Sequence, residues 1–399
     1  MTAGLPKPSA PDDIITGVGI RRLTWDEVWG RRLQRHFLVE PAPRGRLLDV
    51  VGAVCGIHAQ MMPSAELSVG LRVAGMTRTD LREELWERRG LVKTYGLRGT
   101  VHLFPAAELP LWMAALRAKP EPKRPPEVTL TAPERVAVVE AIGDALDGRR
   151  LTRDELEQEV GRRLGSWATQ PGAPAFGGTW PRWMFGLGAA ATDGVLCFGP
   201  AQGSRVSYVR VDQWIERQDR VDGEQALAEV VRRFLAGYGP ATHREFARWF
   251  AMDERAAAGL LRSLGDEVEE VDVEGWPAFL LAGDGPAPPA RGSVRLLPHF
   301  DCYVVGAYPR DRFIPPVWAE RGLTRGTAAT LPVLLVDGVV GGLWHRRRSG
   351  RRLEVTVEPF RRLTARQRGQ VEVEAARVGE VLETPVTVTF GSVPARPHL

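Results

Sequence analysis

Two polar side chains separated by one alanine, His58 and Gln60, are the strongest candidates for chemistry in this sequence. An imidazole can accept a proton from water or fix its orientation, and a carboxamide oxygen can hold the same water molecule. Side chains two residues apart point to different sides of an α-helix. The helix predicted from about Leu47 must therefore end or distort near Gly56 to Ala59 if both groups are to face one substrate. The alternative interpretation is a histidine and a glutamine that hydrogen-bond a turn.

A second set of polar residues lies on the strand-like run 91–104. Alternate residues of a strand share one face, so Arg98, Thr100 and His102 are predicted to lie side by side. They could contact DNA or stabilise an interface between modules, and the sequence favours neither alternative.

Basic residues concentrate in one short run, His345-Arg346-Arg347-Arg348-Ser349-Gly350-Arg351-Arg352. The run lies between two predicted strands and contains a Ser-Gly turn, which indicates a hairpin tip. Arg346, Arg347, Arg348 and Arg351 are predicted to enter a DNA groove or to neutralise phosphates, and a solvated loop is the alternative. Arg205, at the presumed turn of another hairpin, is a weaker candidate of the same kind.

Several common kinds of site are missing from the sequence. It contains no phosphate-binding glycine loop, no nucleophile elbow and no His-Glu-x-x-His motif. Cys55, Cys197 and Cys302 are odd in number and far apart, which argues against a disulfide framework and a paired-cysteine zinc site. We therefore expect buried thiols, no metal and no cofactor.

The composition is that of a globular protein. A chain of 399 residues, 44% of them hydrophobic, can form two to four small domains with real cores. No apolar run approaches the roughly 18 to 20 residues of a membrane span, and residues 1–13 lack the layout of a signal peptide. A cytoplasmic protein without membrane contact is the prediction.

The positive charge comes almost wholly from arginine, because only Lys7, Lys93, Lys119 and Lys123 are lysines among 53 basic residues. Arginine can bind phosphate through two hydrogen bonds at once, so this bias is compatible with a nucleic-acid partner. Codon bias in a GC-rich genome explains it equally well.

One capping pattern repeats along the chain. Thr77, Thr152 and Thr242 each stand three residues before a carboxylate and four before an apolar residue, which predicts a capping box at a helix start. Each predicted helix is followed by two strand-like runs. The runs lie in 91–104, 195–211 and 268–281. Helices followed by a hairpin, three times over, predict three tandem winged-helix modules.

Beyond Gly292 the pattern changes to short β-rich runs interrupted by one helix, at about Thr364 to Leu382, which predicts a small, partly closed β-barrel. The predicted fold class is α+β. Pro-rich stretches at 119–126 and 283–291 are the predicted linkers. The three winged-helix modules and the C-terminal β-barrel are predicted at 18–118, 127–218, 222–283 and 292–395.

Three separated motifs, in this order, resemble the winged-helix (AlkZ/YcaQ-like) family of bacterial DNA glycosylases. The similarity runs from about Ile20 to Val393. The motifs are Gly56-Ile57-His58-Ala59-Gln60, the run 93–105, and Leu296-Leu-Pro-His-Phe300-Asp301-Cys-Tyr303 with Asp311-Arg312. The catalytic signature of that family is two polar residues around an apolar one, either Gln-x-Gln or Gln-x-Asp. The resemblance therefore implies that His58 and Gln60 are catalytic. The histidine resembles the members that accompany gene clusters for DNA-alkylating antibiotics.

The resemblance implies a glycosylase that hydrolyses the N-glycosidic bond of alkylated purines in double-stranded DNA. No lysine stands near His58 and Gln60 to form a Schiff base, so a monofunctional enzyme is expected. A monomer is the prediction for its oligomeric state. The expected substrate is a bulky N7-guanine adduct of a DNA-alkylating natural product, and the purpose self-resistance. General repair of alkylated or cross-linked bases is the close variant. A winged-helix DNA-binding regulator without catalysis and a protein-interaction scaffold are the alternatives from other classes.

Overall fold

The computed structural model describes residues 20–120, 130–175, 178–216 and 219–394. Its helices, in chain order, are α1 (Trp25–Arg35), α2 (Leu47–Ala53), α3 (Met62–Gly70), α4 (Arg78–Glu83), α5 (Leu109–Ala118), α6 (Ala132–Leu146), α7 (Arg153–Leu164), α8 (Ser166–Thr169), α9 (Leu187–Thr192), α10 (Val211–Trp214), α11 (Gly223–Tyr238), α12 (His243–Phe250), α13 (Glu254–Ser263), α14 (Cys302–Gly306), α15 (Arg310–Phe313), α16 (Val317–Glu320) and α17 (Ala365–Val381).

The strands, numbered in the same way, are β1 (Arg21–Leu23), β2 (Ile57–His58), β3 (Leu91–Tyr95), β4 (Val101–Pro105), β5 (Leu151–Thr152), β6 (Pro171–Ala175), β7 (Gly178–Pro181), β8 (Leu196–Gln202), β9 (Arg205–Arg210), β10 (Val268–Val273), β11 (Trp276–Leu281), β12 (Val294–Leu297), β13 (Val333–Val336), β14 (Val339–Ser349), β15 (Arg352–Pro359) and β16 (Val386–Phe390). The α+β class predicted from the sequence is confirmed.

The three predicted helix starts are also confirmed. Thr77, Thr152 and Thr242 are the N-caps of α4, α7 and α12, and each forms a capping box with the carboxylate three residues later. Such a box satisfies backbone N–H groups that have no partner within the helix. The same motif starts three further helices, at Thr24, Thr131 and Thr364, and Thr24 also fits the full sequence pattern, with Glu27 and Val28 after it.

Each predicted hairpin forms and gains a third strand. β3 with β4, β8 with β9, and β10 with β11 are antiparallel pairs joined by short loops. The added strand is β2 against β4 in the first sheet and β5 against β9 in the second. In the third sheet β1 pairs in parallel with β10, so this sheet depends on residues far away in sequence.

The C-terminal strands form an open sheet in the described residues, so the partly closed barrel predicted from the sequence is not confirmed. The strand order is β12, β13, β14, β15, β16, and within the described residues no pairing joins β12 to β16. β15 and β16 run parallel, and parallel neighbours need a crossover connection, which α17 supplies. Because α17 packs against both β12 and β16, it covers the two strands that a barrel would have to join.

Three hydrophobic clusters hold the described chain together, and each one combines distant segments. The first packs α1 against β10, β11 and the C-terminal sheet. The second joins α2, α3 and β4 to α6, α7 and β8, and the third joins α5 to α11, α12 and α13. The predicted domain boundaries stay a prediction. Residues 121–126 of the predicted first linker lie outside the described residues.

The cysteines of the chain are buried thiols. Cys55, Cys197 and Cys302 are buried and free, as predicted, and burial raises the pKa of each thiol. In the described part of the chain, no group of three or more His, Cys, Asp or Glu side chains could hold a metal ion. None of the helices described above is long and apolar enough to cross a membrane.

Candidate active site

The helix before the motif ends early enough to free both of its polar side chains. α2 ends at Ala53, and the N–H of Gly56 donates to the carbonyl of Val51 at 2.9 Å. Cys55 has the left-handed conformation, with φ +62°, as in a Schellman motif. The predicted break ahead of the motif is confirmed and lies a few residues earlier than expected.

Gly56 allows the chain to turn directly onto β4. Its φ is +89°, and an added Cβ would lie 2.6 Å from a ring carbon of Phe104. A side chain at this position would therefore be strained by its backbone and would collide with the neighbouring strand.

His58 and Gln60 lie on an extended segment at the edge of the sheet formed by β2, β4 and β3. His58 pairs with His102 of β4, and the N–H of Ala59 donates to the carbonyl of Val101 at 2.7 Å. Beyond the strand, Gln60 Oε1 accepts the N–H of Val101 at 3.4 Å. The structure therefore places both predicted residues on the segment beside β4, and the side chain of Gln60 turns back to the backbone of Val101.

The ring of His58 is enclosed by other rings and is only 8% exposed. It stacks on Phe300, with 4.7 Å between ring centroids, and meets His102 edge to face at 5.2 Å. Burial, with a smaller effect of the Arg98 charge, lowers the pKa of His58 to about 3. The imidazole is therefore neutral at pH 7. Its Nδ1 is buried and has no hydrogen-bond partner among the described residues.

The three polar residues predicted to share a strand face do not do so. Arg98 lies in the loop between β3 and β4 with φ +58°, where it donates to the carbonyl of Trp249 at 2.6 Å. The prediction was wrong for Arg98, because a left-handed turn here lets its guanidinium reach α12. Thr100 directly precedes β4, and its hydroxyl donates to the carbonyl of Leu97 at 3.0 Å.

His102 lies on β4 behind His58 and is only 2% exposed. Its Nδ1 donates to the carbonyl of Thr100 at 3.0 Å, because a carbonyl oxygen can only accept. Burial lowers the pKa of His102 well below its ordinary value. Of the two alternatives left by the sequence, the contacts of Arg98 and His102 are those of interface residues, and contact with DNA stays a prediction.

A buried ion pair lies directly beside Phe300, the ring that stacks on His58. The guanidinium of Arg72 donates to both carboxylate oxygens of Asp301, at 2.8 and 2.7 Å, and both side chains are 0% exposed. The hydroxyl of Ser68 donates to the same carboxylate at 2.8 Å. Asp301 caps α14 and directly follows Phe300. Leaving one charge of such a pair without its partner destabilises a protein by about 3–5 kcal/mol.

Sequence reasoning gave no role to this pair. Asp301 belongs to the third of the family motifs. Nothing near Arg72 in the sequence indicated that it would pair with Asp301, because the two residues are 229 positions apart. Spatial neighbours at such a separation cannot be recognised by local spacing.

The basic run forms the tip of the hairpin of β14 and β15, as predicted. Ser349 pairs with Arg352, so the turn is Gly350-Arg351, one residue later than the expected Ser-Gly turn. Arg347, Arg348 and Arg351 are exposed at this tip. The guanidinium of Arg347 forms an ion pair with Glu354 at 2.7 Å. Arg205 is likewise exposed, at the end of the loop between β8 and β9.

Arg346 differs from the other arginines of the hairpin because it faces inward. It lies opposite Val355, a buried residue, and directly opposed residues of an antiparallel pair share a face. Burial lowers the pKa of Arg346, and the charge of Glu66 on α3 opposes this shift. Arg346 therefore links the hairpin to the helix that follows the motif.

Lys93 lies on β3, in the same sheet as His58, but its side chain is on the other face. It pairs with Leu103 of β4, which in turn pairs with Ile57, so it lies on the face opposite to His58. Its Nζ is 5.0 Å from the ring centre of Phe198, and burial lowers its pKa to about 8.

The fold and this arrangement agree with one family of known proteins. Residues 51–381 match the model of the family described as DNA glycosylase AlkZ-like, a range that contains the motif, the buried ion pair and the basic hairpin. The chain belongs to the AlkZ-like DNA glycosylase family, and it is a DNA glycosylase, a hydrolase of N-glycosyl bonds.

A curated relative and a solved structure agree with this assignment. The chain is 31% identical, over 386 residues, to the interstrand DNA cross-link repair glycosylase of Streptomyces sahachiroi, with 92% of this chain and 100% of the relative covered. It is also similar to the solved structure of Streptomyces sahachiroi DNA glycosylase AlkZ. The TM-score is 0.76 at 29% identity, with 92% of this chain and 100% of that chain covered. The family resemblance predicted from the sequence is confirmed.

Proposed function

We propose that this glycosylase is monofunctional and releases alkylated purines from double-stranded DNA, with water as the nucleophile and His58 and Gln60 as the catalytic pair. The observation that supports this most is the end of α2 ahead of the motif, which leaves His58 and Gln60 on the extended segment beside β4. Two polar groups arranged in this way can hold one water molecule between them.

The reaction asks little of these groups. An N7- or N3-alkylated purine is already cationic, so it leaves without a general acid, and the enzyme mainly orients water and stabilises positive charge at the sugar. A histidine with a pKa of about 3 is a weak base, so His58 orients water rather than removing its proton. Nδ1 is the buried nitrogen, which leaves Nε2 for the water. Gln60 Oε1 has a second lone pair beside the one that Val101 uses.

A coupled lyase step is not part of the proposal. Such a step needs an amine that attacks the sugar carbon. Lys93 lies on the other face of the sheet and packs on Phe198, so it does not supply that amine to the motif. The product is therefore an abasic site.

DNA binding is assigned to three winged-helix units, built around the sheets of β2–β4, of β5, β8 and β9, and of β1, β10 and β11, together with the basic hairpin. Arg346, Arg347, Arg348, Arg351 and Arg205 would neutralise phosphates. For Arg98 and His102 we favour support of His58 over contact with DNA, because both are bonded to backbone carbonyls behind it. Thr100 would support His58 indirectly, because its carbonyl accepts the hydrogen bond from His102.

The proposed substrate is a bulky N7-guanine adduct of a DNA-alkylating natural product, and the purpose self-resistance. The histidine in the first position of the motif supports this choice. The name of the Streptomyces sahachiroi relative, which specifies interstrand cross-link repair, supports a bulky or cross-linked lesion as well. We further propose a cytoplasmic monomer that works without metal or cofactor.

A base-release assay tests the proposal. Duplex DNA that contains 7-methylguanine or an N7-adducted guanine is incubated with the wild type and with a His58→Ala, Gln60→Ala double variant, and the released base and abasic sites are measured. We expect release by the wild type and a loss of at least about 100-fold in the double variant, with DNA affinity retained. Val373→Ala, on the exposed face of α17, is the control that keeps full activity.

The other functional classes predict different results. If wild type and double variant both bind DNA but release no base, a regulator without catalysis is the better account. If DNA affinity does not depend on salt or on the hairpin arginines, a protein-interaction scaffold is the better account.

A further inference from the structure

A cleft of about 350 Å³ lies between α3 and β14, next to the candidate active site. This volume is within the usual range of small-molecule sites. Met61, which lines the cleft, directly follows Gln60. His299, which also lines it, directly precedes Phe300, the ring that stacks on His58. Two segments of the cleft wall, at Met61 and at His299, are therefore continuous in the chain with Gln60 and with Phe300.

Core residues give the cleft a fixed, apolar wall. Leu67, Leu331 and Leu343 line it and are almost fully buried, so their positions are set by packing on both sides. Trp344 also lines the cleft, and its indole N–H already donates to the carbonyl of Leu297 at 2.8 Å. These residues therefore form a hydrocarbon and aromatic wall behind the cleft.

Ser64 adds a polar group to this wall. It lies on α3, is 2% exposed and lines the cleft. Its Oγ is buried without a hydrogen-bond partner among the described residues. Buried hydroxyl groups are nearly always hydrogen-bonded in native proteins, so an unpaired one that faces a cleft points to a ligand with a polar atom.

The end of the cleft at β14 carries positive charge. His345 and Arg346 line this end, and the exposed arginines of the hairpin continue from it. A DNA strand held by the hairpin would therefore pass the mouth of the cleft, with its modified base close to the motif.

The lining fits an apolar substituent better than an unmodified purine. Enzymes that read an extruded base place several polar groups against its hydrogen-bonding edges. Most of the side chains that line this cleft are apolar, which favours a flat hydrocarbon group with few polar atoms.

We propose that this cleft receives a flat apolar group bonded to N7 of the modified guanine, with Ser64 Oγ hydrogen-bonded to a polar atom of that group. The inference rests on the proposed glycosylase function, because the adduct reaches the cleft only when its guanine lies at the motif. Beyond that function, the inference specifies which part of the lesion the enzyme recognises.

The test fills the cleft and compares two lesions. Ser64→Leu and Val393→Trp each add apolar volume at the lining, and Val373→Trp adds the same bulk on the 61% exposed face of α17. Duplex oligonucleotides carry one 7-methylguanine or one aflatoxin B1–N7-guanine adduct, which is large, flat and apolar. For each protein, kcat/KM is measured on both substrates, and the thermal unfolding midpoint shows whether the variant is folded.

We expect the ratio of kcat/KM for the aflatoxin adduct to that for 7-methylguanine to fall at least about tenfold in both cleft variants. Val373→Trp should leave the ratio at the wild-type value. Ser64→Leu is expected to fold, because it replaces an unpaired buried hydroxyl with a strong helix former.

Three results would overturn the inference. An unchanged ratio in both folded cleft variants contradicts it and leaves the proposed function standing. An equal fall of kcat/KM on both substrates contradicts the inference as well. The cleft residues would then act on the guanine base itself or on the conformation of the motif. Failure of the wild type to release either base contradicts the proposed function and the inference together.

Discussion

His58 combines two properties that define its chemistry, a ring packed between Phe300 and His102 and a strongly lowered pKa. A general base works best when its pKa lies near the working pH. A value of about 3 is far from that condition. Water orientation by a neutral ring is therefore the role that fits, and a carboxamide should be able to replace the ring.

His58→Gln tests this role. We expect kcat/KM to fall by less than about tenfold, whereas the loss of a true general base would cost about 100-fold to 10,000-fold. The wild-type pH–rate profile should lack an inflection near 6.5, the ordinary histidine pKa, because the folded protein keeps His58 neutral down to about pH 3. Release of 7-methylguanine between pH 4 and 8 measures both quantities.

An inflection near pH 6.5 in the wild type that disappears in His58→Gln would contradict the orientation role.

The lowered pKa of His58 also makes the stability of the folded protein depend on pH. The folded pKa lies below the unfolded value, so the contribution of His58 to stability is complete above pH 6.5 and is lost as the pH falls toward 3. Buried His36 and His102 have the same direction of shift.

At the scale of single elements, the hairpin of β14 and β15 carries one arginine that is ion-paired and another for which no ion pair is seen in the described residues. Arg347 shares its charge with Glu354 across the strands, whereas Arg348 donates only a weak bond to the carbonyl of Gly350 at 3.4 Å. A surface ion pair contributes little to stability, about 0–1 kcal/mol. It does reduce the positive charge that a phosphate would meet.

The salt dependence of DNA binding should report this difference. Each phosphate neutralised contributes about 0.9 to the slope of log K against log salt. We expect Arg348→Ala to lower the slope by about that amount, Arg347→Ala to lower it less, and Glu354→Ala to raise it. Dissociation constants of a duplex oligonucleotide at several salt concentrations provide the measurement. Equal slopes for all four proteins would mean that this hairpin does not touch DNA.

At the scale of the whole molecule, the hydrophobic clusters cross the predicted domain boundaries. Trp29 and Leu33 of α1 belong to the same cluster as Val271 of β10 and the C-terminal sheet, although α1 falls in the first predicted module. β1 completes the sheet of the third module. A module cut out at its predicted boundaries would expose apolar side chains and an unpaired strand edge.

We therefore expect an isolated fragment of residues 222–283 to be unfolded. The full chain should unfold in one cooperative transition, because its clusters share segments. Far-UV circular dichroism and amide NMR spectra of the fragment, beside a thermal scan of the full chain, test this. A folded fragment with dispersed amide resonances would show that the third module is an independent domain.

Local physical chemistry was sufficient for much of the fold and for the motif. A threonine and a carboxylate three residues apart, ahead of an apolar residue, can satisfy the free N–H groups of a helix start by contacts within one turn. The starts at Thr77, Thr152 and Thr242 were therefore predictable. The need to bring His58 and Gln60 to one face required a break after α2, and the chain has that break. The family was indicated by the resemblance of three motifs, in the same order, to known glycosylases.

Tertiary structure alone decided what surrounds the motif. Phe300 stacks on His58, and the residue after it, Asp301, forms a buried ion pair with Arg72, 229 positions away. Burial lowers the pKa of His58. The C-terminal strands could equally have closed into a barrel, and the packing of α17 on β12 and β16 left the sheet open. Contacts between residues that far apart depend on how complete layers pack, which no local pattern specifies.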